Sequence, residues 1–281
     1  MDFTKIHGLG NDYLYINCIE EIDKINSSEF PRLARYLCNR HFGIGADGLI
    51  IIEKSNFADF KMIIYNADGT EAEMCGNGIR GVGKFLYDKN ITNKRNLKIE
   101  TLAGIKDINL IIKDNKVASV KVNMGKVTYN KNITICDTDE IPMKLRFVIN
   151  EHEYEGTCAS IGNPHFIIFV DNVEEIDVAN LGEFIGNSDI FLNRANVEFI
   201  QIVDRKTIKM RVWERGVGET FACGTGACCA VKVSNLYKYV DKPVKVLLKG
   251  GELLVNIDEE TDEVYMEGII TKVCDGKFDW L

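Results

Sequence analysis

The chain contains one sequence pattern twice, and this repeat limits most strongly how the chain can fold. Residues 66–81 read NADGTEAEMCGNGIRG, and residues 214–229 read ERGVGETFACGTGACC. Aligned on Cys75 and Cys223, both segments carry Cys-Gly-x-Gly, and a glutamate stands four residues before each cysteine. A repeat of this kind indicates that one structural unit has been duplicated.

Each repeated cysteine is predicted to begin a helix. The residues before it are polar and rich in glycine, which is typical of a loop. After it, small or apolar residues recur at the spacing of one helical face. They stand at positions 79, 82, 85 and 86 in the first segment and at 227, 230, 233 and 237 in the second. The repeat therefore predicts two turns from loop to helix, with a cysteine at each helix start.

A second matched pair lies upstream of these segments. Gly10-Asn11 precedes a strand-like run at 13–17, and Gly162-Asn163 precedes another at 165–170. The two halves thus present Gly-Asn and then Cys-Gly in the same order, at similar spacing.

Most of the remaining segments predict short strands, and few predict helices. Strands are expected at 49–52, 60–65, 97–101, 117–123, 196–203, 207–213 and 244–249. One further helix is expected at 28–40. We therefore expect an α+β fold with two domains of similar build. The first contains residues 1–117, with 270–281 crossing back to it, and the second contains residues 118–269.

Composition limits the class of protein. The length of 281 residues suits two domains, and an apolar fraction of 46% suits sizeable cores. The net charge of −8 argues against a nucleic-acid partner, since no face rich in Lys and Arg is evident. No apolar run is long enough to span a bilayer, and the N-terminus lacks the pattern of a secretory signal. We expect a cytoplasmic protein that binds neither nucleic acid nor membrane.

The nine cysteines are scattered and include no C-x-x-C pair. A disulfide framework is not expected at this length, and a structural zinc site is not expected without paired cysteines or a close pair of histidines. The expected role of any single cysteine is that of a small buried side chain. This interpretation applies to Cys18, Cys38, Cys136, Cys158, Cys228, Cys229 and Cys274.

The two helix-start cysteines predict a specific chemistry. The helix dipole is worth at most about 2 kcal/mol there, which would lower a thiol pKa from about 8.5 to about 7. If the two halves face each other, the thiols would hold one proton between them, because two thiolates in one cleft would repel. One thiol is then a base and the other an acid, as inversion at an sp3 carbon requires. The pattern predicts a racemase or epimerase that uses Cys75 and Cys223.

The same helix starts would bind a substrate carboxylate. Unpaired backbone N–H groups are expected at Gly76, Asn77, Gly224 and Thr225. As the α-proton leaves, negative charge spreads onto that carboxylate, so these donors would also stabilise the transition state.

Six segments resemble the diaminopimelate epimerase family, in that family's order and spacing. They are HGLGND at 7–12, GIGADGL at 43–49, NADGTEAEMCGNGIRG at 66–81, GNPH at 162–165, RANVEF at 194–199 and ERGVGETFACGTGACC at 214–229. The resemblance runs over essentially the whole chain. It implies two pseudo-symmetric domains, each a mostly antiparallel sheet or barrel around a central helix, with the active site in the cleft between them.

The resemblance also implies a function. The family interconverts LL- and meso-2,6-diaminopimelate, in the synthesis of lysine and peptidoglycan precursors, without pyridoxal phosphate, metal or another cofactor. A cytoplasmic homodimer acting on a small-molecule substrate is implied as well.

Individual residues can be matched to the family's site. Cys75 and Cys223 match the catalytic cysteines, and His165 and Glu214 match residues that tune the thiols. The implied substrate contacts are Asn11, Asn66, Gly76, Asn77, Asn163, Asn196, Glu214, Arg215, Gly224 and Thr225. One position departs from the pattern: Gly48 stands where some members have a glutamine that contacts the substrate, so that contact is not carried over.

Other polar residues near the motifs are expected to be structural. Glu71 and Glu219 are expected to stabilise the loops before the helices through their position near the helix N-termini. His7 and His41 are expected to have structural roles.

Other functions are consistent with the residues. The same two-cysteine chemistry could serve a racemase of another amino acid, such as histidine or proline, with a different distal pocket. A different class is a thiol redox or metal-binding protein whose cysteines form a switch. A pyridoxal enzyme is a third, which a visible absorption band would reveal. Deuterium uptake at the α-carbon in heavy water, tested over a panel of amino acids, would decide which amino acid such a racemase or epimerase acts on.

Overall fold

The computed structural model describes residues 1–20, 25–129, 133–135 and 142–280, so Cys136 lies outside the described residues. The chain forms two compact units. The first contains Met1–Asn123 and Glu267–Leu281, and the second contains Met124–Met266. Asn123, rather than residue 117, ends the first stretch, and Glu267, rather than residue 270, begins the returning one.

The first unit is a mixed sheet with two helices. Its strands are β1 (Asp2–Gly8), β2 (Asn11–Asn17), β3 (Gly48–Glu53), β4 (Phe60–Asn66), β5 (Glu71–Ala72), β6 (Asn96–Thr101), β7 (Gly104–Lys113), β8 (Lys116–Gly125) and the returning β18 (Thr271–Lys277). Its helices are α1 (Phe30–Cys38) and α2 (Gly76–Asp88). The strands pair in the order β18-β1-β2-β3-β4-β6-β7-β8, and β5 adds to β4.

The second unit has the same kinds of element. Its strands are β9 (Lys144–Ile149), β10 (His152–Ser160), β11 (Pro164–Phe169), β12 (Asn196–Asp204), β13 (Thr207–Glu214), β14 (Gly218–Thr220), β15 (Val244–Leu248), β16 (Gly251–Ile257) and β17 (Val264–Ile269), which continues into the first unit. Its helices are α3 (Val178–Gly186) and α4 (Gly224–Leu236). The strands pair in the order β9-β10-β11-β12-β13-β15-β16, and β14 adds to β13.

The two units repeat one topology strand by strand. In the first, β2–β3 and β4–β6 are parallel and the other pairs are antiparallel. In the second, β11–β12 and β13–β15 are parallel at the corresponding steps. Helix α2 follows the short strand β5, and helix α4 follows the short strand β14. The repeat seen in the motifs therefore extends through the whole of each unit.

Helices α2 and α4 are the central helices of their units. Helix α2 packs against β1, β2, β4 and β7, and α4 packs against β10, β11, β12, β15 and β16. Because each helix contacts strands from distant parts of the sheet, the sheet must curve around it. Eleven of the thirteen residues of α2 are buried, as expected for a helix inside a core rather than on a surface. Fully buried side chains such as Ile79 and Leu86 each contribute about 1.5–3 kcal/mol.

Helix α1 has the opposite character, because only one of its faces is buried. Phe30, Leu33, Ala34 and Leu37 form that face, and the helix packs against β3 and β4. Proline at position 31 lies in the first turn, where its missing N–H costs nothing. The helix is shorter than the predicted 28–40, because a 3-10 turn at Ser27–Glu29 precedes it.

The seven further strand segments that the sequence predicts are all present. The patterns do not specify β1, β7, β9, β10, β16, β17, β18 or helix α3. Several of these strands carry charged residues on an exposed face; β18, for example, is exposed along most of its length and contains a glycine. Among the described residues, no helix is long and apolar enough to cross a membrane.

Candidate active site

The two repeated cysteines cap the two central helices in the same way. Both have extended backbone angles, with φ −138° and ψ 121° at Cys75 and φ −122° and ψ 113° at Cys223. The Sγ of Cys75 accepts from the amide of Gly78, and the Sγ of Cys223 accepts from the amide of Gly226, each at 3.4 Å. Each thiol thus takes the place that a serine or aspartate oxygen takes in an ordinary N-cap.

This capping leaves two amides at each helix start. The first four N–H groups of a helix have no partner within the helix, and each thiol satisfies only the amide three residues further on. The N–H groups of Gly76 and Asn77, and of Gly224 and Thr225, make no hydrogen bond within the described part of the chain. Two adjacent amides at the positive end of a helix form a site suited to one carboxylate.

Cys75 is half-buried and lies among neutral polar groups. The hydroxyl of Tyr13 donates to its Sγ across 3.3 Å, and the thiol lies 3.6 Å from Oδ1 of Asn11. The same Oδ1 accepts from the side-chain amide of Asn77 at 3.2 Å, and the side-chain amide of Asn11 donates to Asp47 at 2.8 Å. Burial and the nearby thiol hold the pKa of Tyr13 well above its usual value, so its hydroxyl remains a donor.

A buried arginine stiffens the start of helix α2. Arg80 has no solvent exposure and donates to the Gly76 carbonyl at 3.2 Å and to the Ile269 carbonyl at 3.2 Å. Its guanidinium also hydrogen-bonds Oδ1 of Asn77. The side chain of Asn77, which donates to Asn11, is therefore held in place by the planar and permanently charged guanidinium of Arg80.

Cys223 lies in a different electrostatic environment. The thiol is 4% exposed and sits 3.4 Å from the Thr225 hydroxyl. Burial raises the pKa of Cys223 well above its usual value, and the carboxylates of Glu214 and Glu198 raise it further. The expected lowering to about 7 is therefore wrong for this cysteine, because desolvation and two acidic neighbours outweigh the helix start. Burial also raises the pKa of Glu214, although hydrogen bonds from Thr220 and Cys223 oppose the effect.

His165 joins a line of hydrogen-bonded side chains that ends at Cys223. Its Nδ1 lies 2.6 Å from Oε1 of Glu198, and its Nε2 lies 3.0 Å from Oδ1 of Asn163. The Asn163 amide donates to the Thr225 hydroxyl at 3.4 Å. The second unit thus brings His165, Asn163 and Thr225 together with the second thiol.

The remaining predicted contacts lie at strand ends. Asn66 is exposed at the end of β4, and its amide donates to the Thr70 hydroxyl at 2.9 Å. Asn196 is buried at the start of β12 and accepts from the Arg215 amide at 3.0 Å. The Arg215 guanidinium is exposed and donates to the Asn193 carbonyl at 2.8 Å. Glu214, the last residue of β13, accepts from the Thr220 hydroxyl at 2.5 Å.

The sequence patterns miss two residues near the thiols, Tyr13 in the first unit and Glu198 in the second. Tyr13 lies opposite Gly48 in the β2–β3 pair, as His165 lies opposite Asn196 in the β11–β12 pair. Tyr13 and His165 also stand two residues after the Asn of the two Gly-Asn pairs, so the upstream repeat carried a signal for Tyr13. Glu198 stands in RANVEF, and only its burial and its contact with His165 single it out.

Gly48 has no room for a side chain. A Cβ atom there would come within 2.5 Å of the Tyr65 carbonyl oxygen and 2.7 Å of Cε1 of Tyr13. The ring of Tyr13 therefore occupies the space that a glutamine at position 48 would need.

His165, Glu198 and Cys223 lie close enough to suggest a metal site. One potential ligand atom from each lies within 4.8 Å of the others. However, the direct contact between His165 Nδ1 and Glu198 accounts for one pair, and Nε2 of the same ring faces Asn163. The hydrogen bond between His165 and Glu198 therefore explains why those two side chains are close.

Glu219, on the short strand β14 before helix α4, pairs with two cations. Its Oε1 accepts from Arg211 Nε at 2.7 Å and pairs with Lys249 Nζ at 2.7 Å. Burial alone would raise the pKa of Glu219, but these two cations lower it overall. Glu219 links β14 to β13 and to the end of β15, because it pairs with Arg211 on β13 and with Lys249 just after β15. Glu71, its counterpart in the repeat, is exposed on β5.

The other cysteines have the expected environment, with one exception. Cys18, Cys38, Cys158, Cys228 and Cys229 are buried, whereas Cys274 is exposed on β18. None of the eight described cysteines forms a disulfide.

Comparison with known proteins identifies relatives along the whole chain. A family model described as diaminopimelate epimerase matches residues 3–130 and 157–273. The diaminopimelate epimerase of Acetivibrio thermocellus is 46% identical over 280 residues and that of Methanococcus maripaludis 45%, with at least 99% of each chain covered. Among solved structures, a probable proline racemase from Agrobacterium radiobacter has a TM-score of 0.72 at 14% identity, over 99% of this chain and 92% of that one. This structural likeness confirms the predicted α+β fold.

Proposed function

Because the chain belongs to the diaminopimelate epimerase family, we propose that it interconverts LL- and meso-2,6-diaminopimelate by moving one proton at an α-carbon. The observation that carries the chemistry is the duplicated helix start, at which a thiol caps the helix and two amides stay unpaired. A symmetric pair of acid and base suits inversion at carbon, whereas a hydrolase would not need it.

Cys75 and Cys223 are the acid and the base of this proposal. The reaction requires one group to remove the α-proton and the other to deliver a proton to the opposite face of the same carbon. Reversal of the reaction exchanges their roles. The two thiols differ in environment, since Cys75 accepts from a phenol and Cys223 lies beside carboxylates.

The unpaired amides bind the carboxylate next to the reacting carbon. The N–H groups are those of Gly76, Asn77, Gly224 and Thr225. As the α-proton leaves, the carboxylate takes up charge, so fixed donors stabilise the transition state more than the ground state. Arg80 supports this role by holding the Asn77 side chain in place.

The polar residues at the strand ends bind the rest of the substrate. Diaminopimelate carries an amino-acid group at each end, so a distal site must bind an ammonium and a second carboxylate. Arg215 can bind a carboxylate with two parallel hydrogen bonds, and Glu214 can accept from an ammonium. The amides of Asn11, Asn66, Asn163 and Asn196 can donate and accept. His165 and Glu214 also act on the thiols through charge and hydrogen bonding.

The family resemblance also suggests a cellular role, a location and an assembly, which we include in the proposal. The product supplies lysine and peptidoglycan synthesis, and the enzyme acts in the cytoplasm as a homodimer. Sedimentation of the purified chain tests the assembly, and fractionation of the cells that express it tests the location.

The decisive experiment for the function uses the purified full-length chain in heavy water. LL-diaminopimelate should become meso-diaminopimelate and gain deuterium at the α-carbon, as followed by NMR, without added metal or pyridoxal phosphate. Histidine and proline are tested in parallel. Turnover of either of those in place of diaminopimelate would show that the distal pocket has another specificity, and exchange that depends on metal would contradict the thiol mechanism.

A further inference from the structure

Glu198 and His165 form a pair of ionisable side chains with no solvent exposure. Their Oε1 and Nδ1 atoms are 2.6 Å apart. The second carboxylate oxygen, Oε2, has no hydrogen-bond partner among the described residues. A buried carboxylate is costly to keep, and the fold retains this one with only part of its hydrogen-bonding capacity used.

The first unit has no carboxylate at the equivalent position. Ile50 lies two residues after Gly48 on β3, as Glu198 lies two residues after Asn196 on β12. A Cβ atom on Gly78 would contact Ile50, and one on Gly226 would contact Glu198, so both side chains lie beneath the third residue of a central helix. Because a buried isoleucine fills this place in one unit, the fold itself does not require a carboxylate in the other.

The hydrogen bonds indicate what the carboxylate does. An ionised carboxylate can only accept, so its contact with His165 requires a proton on Nδ1. Nε2 lies 3.0 Å from Oδ1 of Asn163, which is also an acceptor, so Nε2 must donate there and both ring nitrogens carry a proton. The Asn163 amide in turn meets the Thr225 hydroxyl at 3.4 Å, and that hydroxyl lies 3.4 Å from the Sγ of Cys223.

We propose that Glu198 is a positioning residue, which holds the imidazole of His165 protonated on Nδ1 and thereby orients Asn163 and Thr225 beside Cys223. Glu198 touches no reacting atom in this scheme and acts only through the imidazole. The catalytic consequence rests on the proposed function, whereas the state of the imidazole does not.

The ring protonation can be measured directly, since the chain has four histidines. The full-length protein labelled with 15N-histidine is recorded by long-range proton–nitrogen NMR, and His165→Gln assigns the signal. The wild type should show a proton on Nδ1 of His165, and Glu198→Gln should shift both nitrogen signals, because an amide can donate as well as accept. A wild-type ring without a proton on Nδ1, or an unchanged His165 signal in Glu198→Gln, would overturn the proposal.

Glu53→Gln is the matched control for that spectrum. Glu53 is another buried carboxylate, on β3, and it pairs with Lys61 at 3.5 Å rather than with a histidine. This variant should leave all four imidazole signals in place. If it moves the His165 signal as much as Glu198→Gln does, the effect is not specific and the proposal fails.

Kinetics then separate positioning from a structural role. Glu198→Gln should lower kcat/KM by about 10- to 100-fold and displace its pH profile, while the protein stays folded. A purely structural loss would reduce the active fraction without moving the profile, and that outcome would contradict the proposal. Glu198→Ile, which copies the first unit, serves the same test if the amide variant does not fold. If the wild type fails to turn over diaminopimelate, the proposed function is wrong, and the ring spectrum still decides the positioning.

Discussion

The hydroxyl of Tyr13 donates a hydrogen bond to the Sγ of Cys75 across 3.3 Å. At the equivalent strand position, the second unit has His165, which faces Glu198 and Asn163. The two units thus share one topology and differ in the group placed at this position. The first thiol is supported by a neutral phenol, and the second lies near an imidazole and two carboxylates.

The phenol gives the first prediction. Tyr13→Phe should lower kcat/KM by about 10- to 100-fold, because it removes the hydrogen bond to Cys75. A hydrogen bond to a charged group, here the thiolate of the proposed mechanism, is worth about 1.5–3 kcal/mol. The ring stays in place, so the packing against Gly48 is kept. Steady-state kinetics in both directions of the reaction measure the effect.

Tyr15→Phe is the matched control for that loss. The Tyr15 hydroxyl donates to the Gly78 carbonyl at 3.0 Å in the core and does not touch a thiol. Its removal should lower the free energy of unfolding by about 1–3 kcal/mol and leave kcat/KM near the wild-type value. Equal kinetic losses in both variants would show that Tyr13 acts only through stability.

A second prediction concerns stability at high pH. Burial raises the pKa of Cys38 to about 12 and raises the pKa values of Cys223 and Tyr15 well above their usual ranges. In the unfolded chain these groups lose protons from about pH 8.5 for the thiols and about pH 10 for the phenol. Their contribution to the free energy of unfolding is complete below about pH 8.5. It is lost as the pH rises toward 12, because the unfolded state binds fewer protons than the folded state in that range.

Urea unfolding between pH 8 and pH 11 tests this sign. Each buried thiol should make the free energy of unfolding decrease more steeply with pH, by up to about 1.4 kcal/mol per pH unit. Cys38→Ala should therefore reduce the slope, although the cavity lowers the overall stability. Cys274→Ala, which removes an exposed thiol, should leave the slope unchanged. A free energy of unfolding that rises across this range would contradict the account.

The ion pairs of Glu219 give a third prediction. Its carboxylate binds Arg211, which also donates to the carbonyls of Val173 and Ile176 at 2.8 and 2.9 Å. Glu219→Gln should lower the free energy of unfolding by about 1–3 kcal/mol, since Arg211 and Glu219 are partly buried. Thermal unfolding measures the loss.

A surface pair serves as the control. Glu252 pairs with Lys245 at 3.2 Å, and both side chains are about half exposed. Glu252→Gln should cost no more than about 1 kcal/mol. If both variants lose the same stability, the network of Glu219 has no special role in fixing β14.

Sequence patterns predict the parts of this protein that depend on local spacing. The two helix starts follow from cysteine, glycine and a helical apolar period within a few residues. The strands around Gly48 and Asn196 follow from continuous apolar runs, and the repeat carries the α+β organisation into both units. Sequence patterns do not predict strands such as β18, which is exposed and charged, because such a segment becomes a strand only through pairing with its partner.

The electrostatics of the site depend on strand register and burial, which local spacing does not reveal. Glu219 stands at the same place in the repeat as Glu71, yet its partners Arg211 and Lys249 come from other strands or their ends. Likewise, the pKa of Cys223 is set by burial and by Glu214 and Glu198, from two different strands. The position of Cys223 at a helix start predicts a lowered pKa, whereas burial and these two carboxylates raise it.

The central claim is that Cys75 and Cys223 both move the proton, and single substitutions measured in heavy water test it most directly. Cys75→Ser and Cys223→Ser should each stay folded and lose about 100- to 10,000-fold in the rate of epimerisation, whereas Cys274→Ser should match the wild type. If either active-site variant interconverts the isomers of diaminopimelate at close to the wild-type rate, with deuterium gained at the α-carbon, that thiol is neither the acid nor the base.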